Sequence, residues 1–218
     1  MEQLIRRAFD RPIKAIEIGC WFGVGSTQIW LNNLKQGSTL LLIDSWKPYS
    51  SPKDLADKEW DYKEMDNLST DAFLSTFLQV RKFETERRDS RLDMQLIRGD
   101  ASTLLPLFAE NSFDFIYIDG DHKYAKVKQD IQQAKRLVKK DYGIICGDDL
   151  ERLPTPELVE VAKNHKTDDF LRDPYYFHPG VMVAVSEEFP VVNMANGFWW
   201  IVCKGGKFRT DLFPTLSA

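Results

Sequence analysis

Glu17-Ile18-Gly19-Cys20-Trp21-Phe22-Gly23-Val24-Gly25-Ser26 is the stretch on which the reading of this chain turns. It completes the apolar segment Ala15 to Ile18, and such a run ending in a glycine-rich turn reads as a buried strand entering a helix. Ser26 to Leu34 carries helical spacing and stops near Gly37, after which Thr39 to Ile43 forms a second apolar run ended by Asp44. Strand, helix, strand is the unit that builds parallel sheets, because parallel neighbours need a crossover to bring the chain back.

Outward from this unit, Met94 to Ile97, Phe113 to Ile118 and Tyr142 to Cys146 are further short apolar runs separated by helix-like stretches such as Lys123 to Lys139. They bring the parallel strands to five. Val181 to Val185 and Phe198 to Cys203 are strand-like but lie too close for a helical crossover, so they read as an antiparallel hairpin closing the sheet edge. Residues 45–93 are polar, charged and aromatic, with helical periodicity from Asp71 to Arg87, and are too long for a plain connection. A single α/β domain over 1–218 with a helical insert at 45–93 is the expected organisation, and no internal repeat or low-complexity linker divides it.

The 218 residues carry a formal net charge of -4, so no overall positive field draws the chain to nucleic acid or anionic lipid. No stretch approaches a membrane span, and the start of the chain lacks the apolar run of a signal peptide. Cys20, Cys146 and Cys203 are widely spaced and form no CxxC pair. A reducing compartment, the cytoplasm, is the expectation.

Glycine spacing discriminates among ligands for the turn. A dinucleotide fold wants G-x-G-x-x-G and no acid against the pyrophosphate, whereas Gly19, Gly23 and Gly25 give G-x-x-x-G-x-G beside Glu17. A carboxylate there suits the cationic amino-acid portion of a sulfonium cofactor, although the glycines also suit a tight turn with close helix packing. Ser26 opens the following helix. Asp44, at the end of the second run, is placed to accept ribose hydroxyl protons. After the third run, Asp100 is placed to accept a hydrogen bond from an adenine amino group while the neighbouring N–H of Ala101 reaches a ring nitrogen; helix N-capping is the other reading of Asp100.

These residues resemble the class I methyltransferases, and among them the small O-methyltransferases of the catechol and caffeoyl-coenzyme A type. The resemblance is strongest to a bacterial branch marked by Ile118-Asp119-Gly120-Asp121-His122-x-Tyr124, and it runs from about residue 14 to 149, with Phe177-His178-Pro179-Gly180-Val181 also similar. It implies S-adenosylmethionine as cofactor and a Rossmann-like, seven-stranded sheet of order 3-2-1-4-5-7-6 with strand seven antiparallel. It also implies that Glu17, Asp44, Asp100 and Asp119 surround one nucleoside and its reactive sulfur.

In that strand order Asp119, after strand four, converges with Asp148 and Asp149, after strand five. Three carboxylates together call for a hard divalent cation, with Mg²⁺ as the expected ion; capping and loop roles without a metal are the alternative. The catechol-type family ligates its ion with an Asp after strand four and an Asp-Asn pair after strand five, so Asp119 and Asp148 match and Asp149 replaces the Asn. His122 stands where that family carries a Lys base and is the candidate general base, with Asp121 as a residue to orient it or to sit beside the methyl donor. His178 is a weaker candidate. Trp46, Tyr49, Trp60 and Tyr62 of the insert read either as a substrate lid or as packing, and Trp199 and Trp200 as edge or subunit packing.

The expected activity is methyl transfer to a hydroxyl of a small molecule, by a homodimer. The alternatives are a metal-independent N-methyltransferase, a nicotinamide-dependent oxidoreductase and a non-catalytic cofactor-binding protein.

Overall fold

The structure is a computed structural model that describes residues 1–56, 62–87, 91–172 and 174–210. The chain divides into two compact units, Met1–Ala101 and Ser102–Ala218. The fold is the Rossmann-like α/β arrangement of a mixed sheet and flanking helices that the sequence implies.

In the first unit, α1 (Glu2–Ala8) precedes β1 (Lys14–Ile18), α2 (Ser26–Asn33) and β2 (Thr39–Asp44). The insert contributes a short 3-10 turn at Asp54–Ala56, then α3 (Tyr62–Asn67) and α4 (Ser69–Glu86), and β3 (Asp93–Arg98) follows. The strands run in the order β3-β2-β1, all parallel, with Ile16 opposite Leu41 and Leu41 opposite Gln95. Ala15 to Ile18 and Leu40 to Ile43 are buried continuously, as strands covered on both faces must be, whereas β3 is largely exposed. Helix α4 buries Ala72, Thr76, Val80 and Phe83, one stripe at helical spacing.

In the second unit, β4 (Phe115–Ile118) lies parallel to β5 (Tyr142–Leu150), with α6 (Tyr124–Leu137) as the crossover. Helix α5 (Ala101–Leu104) stands at the sequence boundary between the units. Beyond β5 come α7 (Pro156–His165), α8 (Pro179–Glu188), β6 (Asn193–Ala195), β7 (Gly197–Lys204) and β8 (Lys207–Arg209). Strand β7 is antiparallel to β5, and β6 and β8 both pair antiparallel with β7. The runs β3-β2-β1 and β4-β5-β7-β6 are the two parts of the expected order, to which β8 adds an eighth strand among the described residues.

One expected strand is a helix. Val181 to Val185 lies within α8, whose residues Pro179 to Val185 are all buried. A helix buried on every side has no polar stripe to betray its period, and a short valine-rich run then reads as a strand. Pro179 at the start of α8 supplies the preset φ of a first helical turn. The hairpin partner of β7 is β6 instead, joined to it through Asn196-Gly197 with φ of 51° and 84°. Positive φ at both residues of a two-residue loop matches the twist of the strands it connects, which is why Asn-Gly suits it.

Gly180 fixes how closely α8 approaches the chain after β4. A Cβ there would come within 2.2 Å of the His122 carbonyl oxygen and 2.4 Å of the Tyr124 nitrogen. Both obstacles are backbone and cannot rotate away. Gly180→Ala is therefore expected to lower the unfolding free energy by about 2 to 3 kcal/mol. Chemical denaturation checks this, and an unchanged midpoint would show that α8 sits further from residues 122–124.

Candidate functional site

The first unit places Glu17, Gly19, Gly23, Gly25, Ser26 and Asp44 on one turn. Gly19 and Gly23 take φ of 86° and 68°, and Trp21 between them takes 45°. Asp44 holds this shape: its Oδ2 accepts the N–H groups of Cys20 (2.9 Å) and Trp21 (3.0 Å), and its Oδ1 accepts the N–H of Trp46 (2.7 Å). The residue expected to face ribose thus also organises the glycine turn. A carboxylate has about four acceptor positions, so three N–H bonds leave capacity for a ligand hydroxyl.

Glu17, expected at the strand end beside a cationic amino-acid portion, is buried there. It is 0% exposed, and its oxygens accept the hydroxyls of Ser26 and Thr27, the latter at 2.9 Å. A buried carboxylate must be hydrogen-bonded, and these hydroxyls fasten the start of α2 to the end of β1. Gly25 caps α2 without a side-chain bond, and no acidic residue occupies its first turn. Asp100 is exposed and directly precedes α5, whose first residue is Ala101.

The insert braces the turn. Thr76 donates to the Trp21 carbonyl (2.5 Å), Ser75 to that of Phe22 (2.9 Å), and Trp46 Nε1 also to Trp21 (2.9 Å). Trp46 is 1% exposed with its ring 5.1 Å from that of Phe73, and Tyr62 is buried. Packing is what these two aromatics do. Tyr49 is half-buried, its N–H bonded to Asp66 (3.0 Å), and Trp60 lies outside the described residues.

The second unit gathers the acidic and imidazole groups. Tyr117 OH donates to Asp119 (2.9 Å) and stands 3.5 Å from Asp148. His122 is clamped on both sides, Nε2 lying 3.1 Å from Asp149 and Nδ1 lying 3.1 Å from Asp169. His178 Nδ1 lies 2.5 Å from Glu151 and 3.6 Å from Asp149, and the two imidazole centroids are 4.3 Å apart. A small cleft is lined by Asp119, Asp121, His122, Asp148, Asp149 and Trp199 among others.

Two expectations change here. Asp121 does not orient His122: its carboxylate accepts the Lys123 N–H at 2.8 Å, a local turn, and Asp149 and Asp169 hold the ring instead. The three carboxylates Asp119, Asp148 and Asp149 line one cleft but differ in their partners. Asp119 and Asp148 face the Tyr117 hydroxyl while Asp149 faces the histidines. Among the described residues the group whose donor atoms all come within 4.8 Å is His122, Asp149 and His178.

The bulge in β5 explains the division. Pairing with β7 shifts register between Gly147 and Leu150, and Asp149 takes φ of 65°. An extra residue re-aims the side chains that follow it, so adjacent aspartates turn to different neighbours. Glu151 and Asp169 are the functional neighbours that sequence reasoning missed. Asp169 belongs to no motif and lies 47 residues from the imidazole it binds.

Electrostatics follow from this packing. Burial, and then the charges of Asp149 and Asp148, push the Asp119 carboxyl up to about 7. Burial works to lower His122, yet the bonds and charges of Asp149 and Asp169 outweigh it and hold the ring well above its ordinary value. Burial likewise works to raise Asp149, but His122 and then His178 bring it below the usual carboxylate range.

Residues 16–150 match the family described as methyltransferase domain. Among curated proteins no relative matches the chain. Solved structures are similar in fold. A putative rRNA-methylase from Clostridium thermocellum is 9% identical with a TM-score of 0.55, over 92% of this chain and 90% of that one. The O-methyltransferase TomG from Streptomyces achromogenes, involved in tomaymycin synthesis and solved with SAM, is 14% identical with a TM-score of 0.52, over 93% and 78%. Cofactor-bound Rv0187 from MTB is 16% identical with a TM-score of 0.50, over 94% and 78%.

The raised Asp119 predicts a pH effect. A carboxyl whose folded value exceeds its unfolded one stabilises the fold in acid and loses that contribution as pH rises through about 7. Without divalent ions, Asp119→Asn should match wild type near pH 4 and exceed it at pH 8 by roughly 2 kcal/mol, allowing for water at its partly exposed oxygens. Thermal unfolding across that range checks this; a variant less stable at pH 8 contradicts it.

Proposed function

Because the chain belongs to the methyltransferase domain family, whose model spans residues 16–150, we propose that it transfers a methyl group from S-adenosylmethionine to a hydroxyl of a small molecule, assisted by a divalent cation. The observation that carries this reading is the glycine turn held open by Asp44. Bound S-adenosylmethionine supplies a sulfonium methyl that a nucleophilic oxygen can take.

The turn fits such a cofactor. Val24 and Gly25 are exposed, and a Cβ built on Gly25 would meet nothing within 4 Å, which leaves space beside the start of α2. The N–H groups opening α2 suit the carboxylate of the amino-acid portion. With Glu17 bound to Ser26 and Thr27, its hold on the cationic end works through the position of α2 rather than by open contact. Asp44 accepts ribose hydroxyls with its remaining lone pairs, and Asp100 with the Ala101 N–H serves the adenine edge. Asp119 is assigned to the cofactor as well as to the acidic group.

The donor chemistry of the second unit also fits a cation, since several carboxylates press on one another and leave Asp119 near neutrality. The reading places the ion, expected as Mg²⁺, among Asp119, Asp148 and Asp149, where it would lower the pKa of the acceptor hydroxyl. His122 is the assigned proton acceptor. Because Asp149 and Asp169 keep it charged, it takes up a proton only where the negative charge beside it is offset. The acceptor is a small molecule; nucleic acid and membrane are not among the proposed partners, and no described helix is long and apolar enough to cross a membrane. The cytoplasm is the proposed compartment. Homodimerisation belongs to the same proposal.

One observation favours a second reading. His122 and His178 already face Asp149 without an ion, an arrangement open to a metal-independent enzyme acting on nitrogen. Transfer of labelled methyl from S-adenosylmethionine to hydroxyl and amine acceptors, with and without EDTA, separates the two. We expect hydroxyl acceptors to be used and EDTA to cut the rate about a hundredfold. Undiminished transfer to amines under EDTA contradicts the proposal.

A further inference from the structure

We propose that His122, Asp149 and His178 form a three-ligand site for a first-row transition-metal ion, of the series from Fe²⁺ to Zn²⁺, in place of the all-oxygen Mg²⁺ set. The catalytic meaning of this site rests on the metal-assisted reading above, but ion binding itself does not.

Geometry comes first. Three ligands bonded to a divalent ion at about 2.1 Å stand roughly 3 Å or slightly more from one another. His122 Nε2 and His178 Nδ1 already lie 3.1 and 3.6 Å from Asp149, and the donor atoms of all three residues fall within 4.8 Å. Small side-chain rotations close the group around an ion.

Three separate features of the backbone build this trio. His122 stands in the chain after β4. Asp149 stands in the β5 bulge with φ of 65°, a conformation unfavourable to a non-glycine residue and sustained by its surroundings. His178 is the N-cap of α8, which the missing side chain of Gly180 allows to press against the His122 backbone. Residues 56 positions apart in sequence are thereby brought ring to ring, at 4.3 Å.

An independent observation points to metal ligation. Asp169, whose side chain is 7% exposed, sits on the Nδ1 face of His122 at 3.1 Å, on the opposite side of the ring from Asp149. A carboxylate there fixes the Nδ1–H tautomer and turns the Nε2 lone pair outward, the arrangement that orients metal-bound imidazoles. Glu151 stands differently at His178: it accepts the backbone N–H at 3.1 Å, and its carboxylate lies 2.5 Å from Nδ1 itself, so it gives up that nitrogen when an ion binds.

Ligand type then selects the ion. Mg²⁺ prefers oxygen donors and keeps its water, whereas imidazole suits Fe²⁺, Ni²⁺, Cu²⁺ and Zn²⁺, with Co²⁺ between iron and nickel in the same affinity series. Two histidines and one carboxylate also leave coordination positions open for acceptor oxygens. While an ion occupies this site His122 is a ligand, and the proton-acceptor role assigned to it above belongs to the ion-free ring.

The test uses the full chain stripped with EDTA and desalted, with Co²⁺, Zn²⁺ or Mg²⁺ alone as probe. Calorimetry should show one Co²⁺ per chain, bound about a hundredfold more tightly than Mg²⁺ and accompanied by visible d–d absorption. His178→Ala should weaken Co²⁺ by about thirtyfold or more, while Asp148→Asn leaves it nearly unchanged. In the wild type, which needs no variant to fold, Zn²⁺ should shift the ring ¹⁵N resonances of His122 and His178 together. Equal affinity for Mg²⁺ and Co²⁺, loss of binding in Asp148→Asn but not in His178→Ala, or unmoved ring resonances would each overturn the site. Tight Co²⁺ binding with methyl transfer indifferent to EDTA would sink the metal-assisted reading and leave the site standing. Absent Co²⁺ binding with EDTA-sensitive transfer would do the reverse.

Discussion

The carboxylate of Asp44 is the constraint on which the first unit depends. The turn after β1 bends through two glycines and a tryptophan at positive φ, so its backbone groups cannot join helix or sheet. They need partners elsewhere. Asp44 takes the N–H groups of Cys20 and Trp21, and Thr76, Ser75, Trp46 and Gln28 supply donors to the carbonyls of Trp21, Phe22 and Gly23. The strand end thus satisfies the donors of the turn, and the insert with α2 satisfies its acceptors. This gives α4 a structural purpose distinct from that of a mobile cover, and the same contact explains Gly23, where a Cβ would stand 3.0 Å from Thr76 Cα. A ligand meets a turn already shaped, with little ordering left to oppose binding.

The second unit solves a different problem, the crowding of carboxylates at adjacent strand ends. Asp119 stays near neutrality, Tyr117 offers a hydroxyl to it, and Asp149 is turned by the bulge towards two imidazoles. Desolvation would make an isolated charge there expensive, and pairing with imidazole offsets that cost. The arrangement separates neutral from charged carboxyl groups within a few residues of sequence. Such separation is what acid–base chemistry at a single site requires.

Much of this was legible in the sequence because strand ends follow from apolar runs. Ile18, Asp44, Ile118 and the end of the Tyr142 run lie where hydrophobicity stops or turns acidic, and the structure ends or bends its strands there. Burial is less legible than periodicity. Glu17 reads as a carboxylate for a cationic ligand because it ends a strand at a glycine turn, and only the fold shows Ser26 and Thr27 closing over it. Helix α8 reads as a strand because its covered valines carry no polar period. Asp169 is legible in no local pattern, since its partner His122 is reached through tertiary packing alone. Asn196-Gly197, by contrast, was a turn signal in plain view, and it locates β6 where the strand-like Val181 run does not.

The central claim is that the turn held by Asp44 accepts a sulfonium amino-acid nucleoside rather than a pyrophosphate. Equilibrium calorimetry of one preparation with S-adenosylhomocysteine and, separately, with NADH tests it most directly. The account predicts saturable one-to-one binding of S-adenosylhomocysteine and no measurable heat of binding with NADH. Saturable binding of NADH with none of S-adenosylhomocysteine would contradict it.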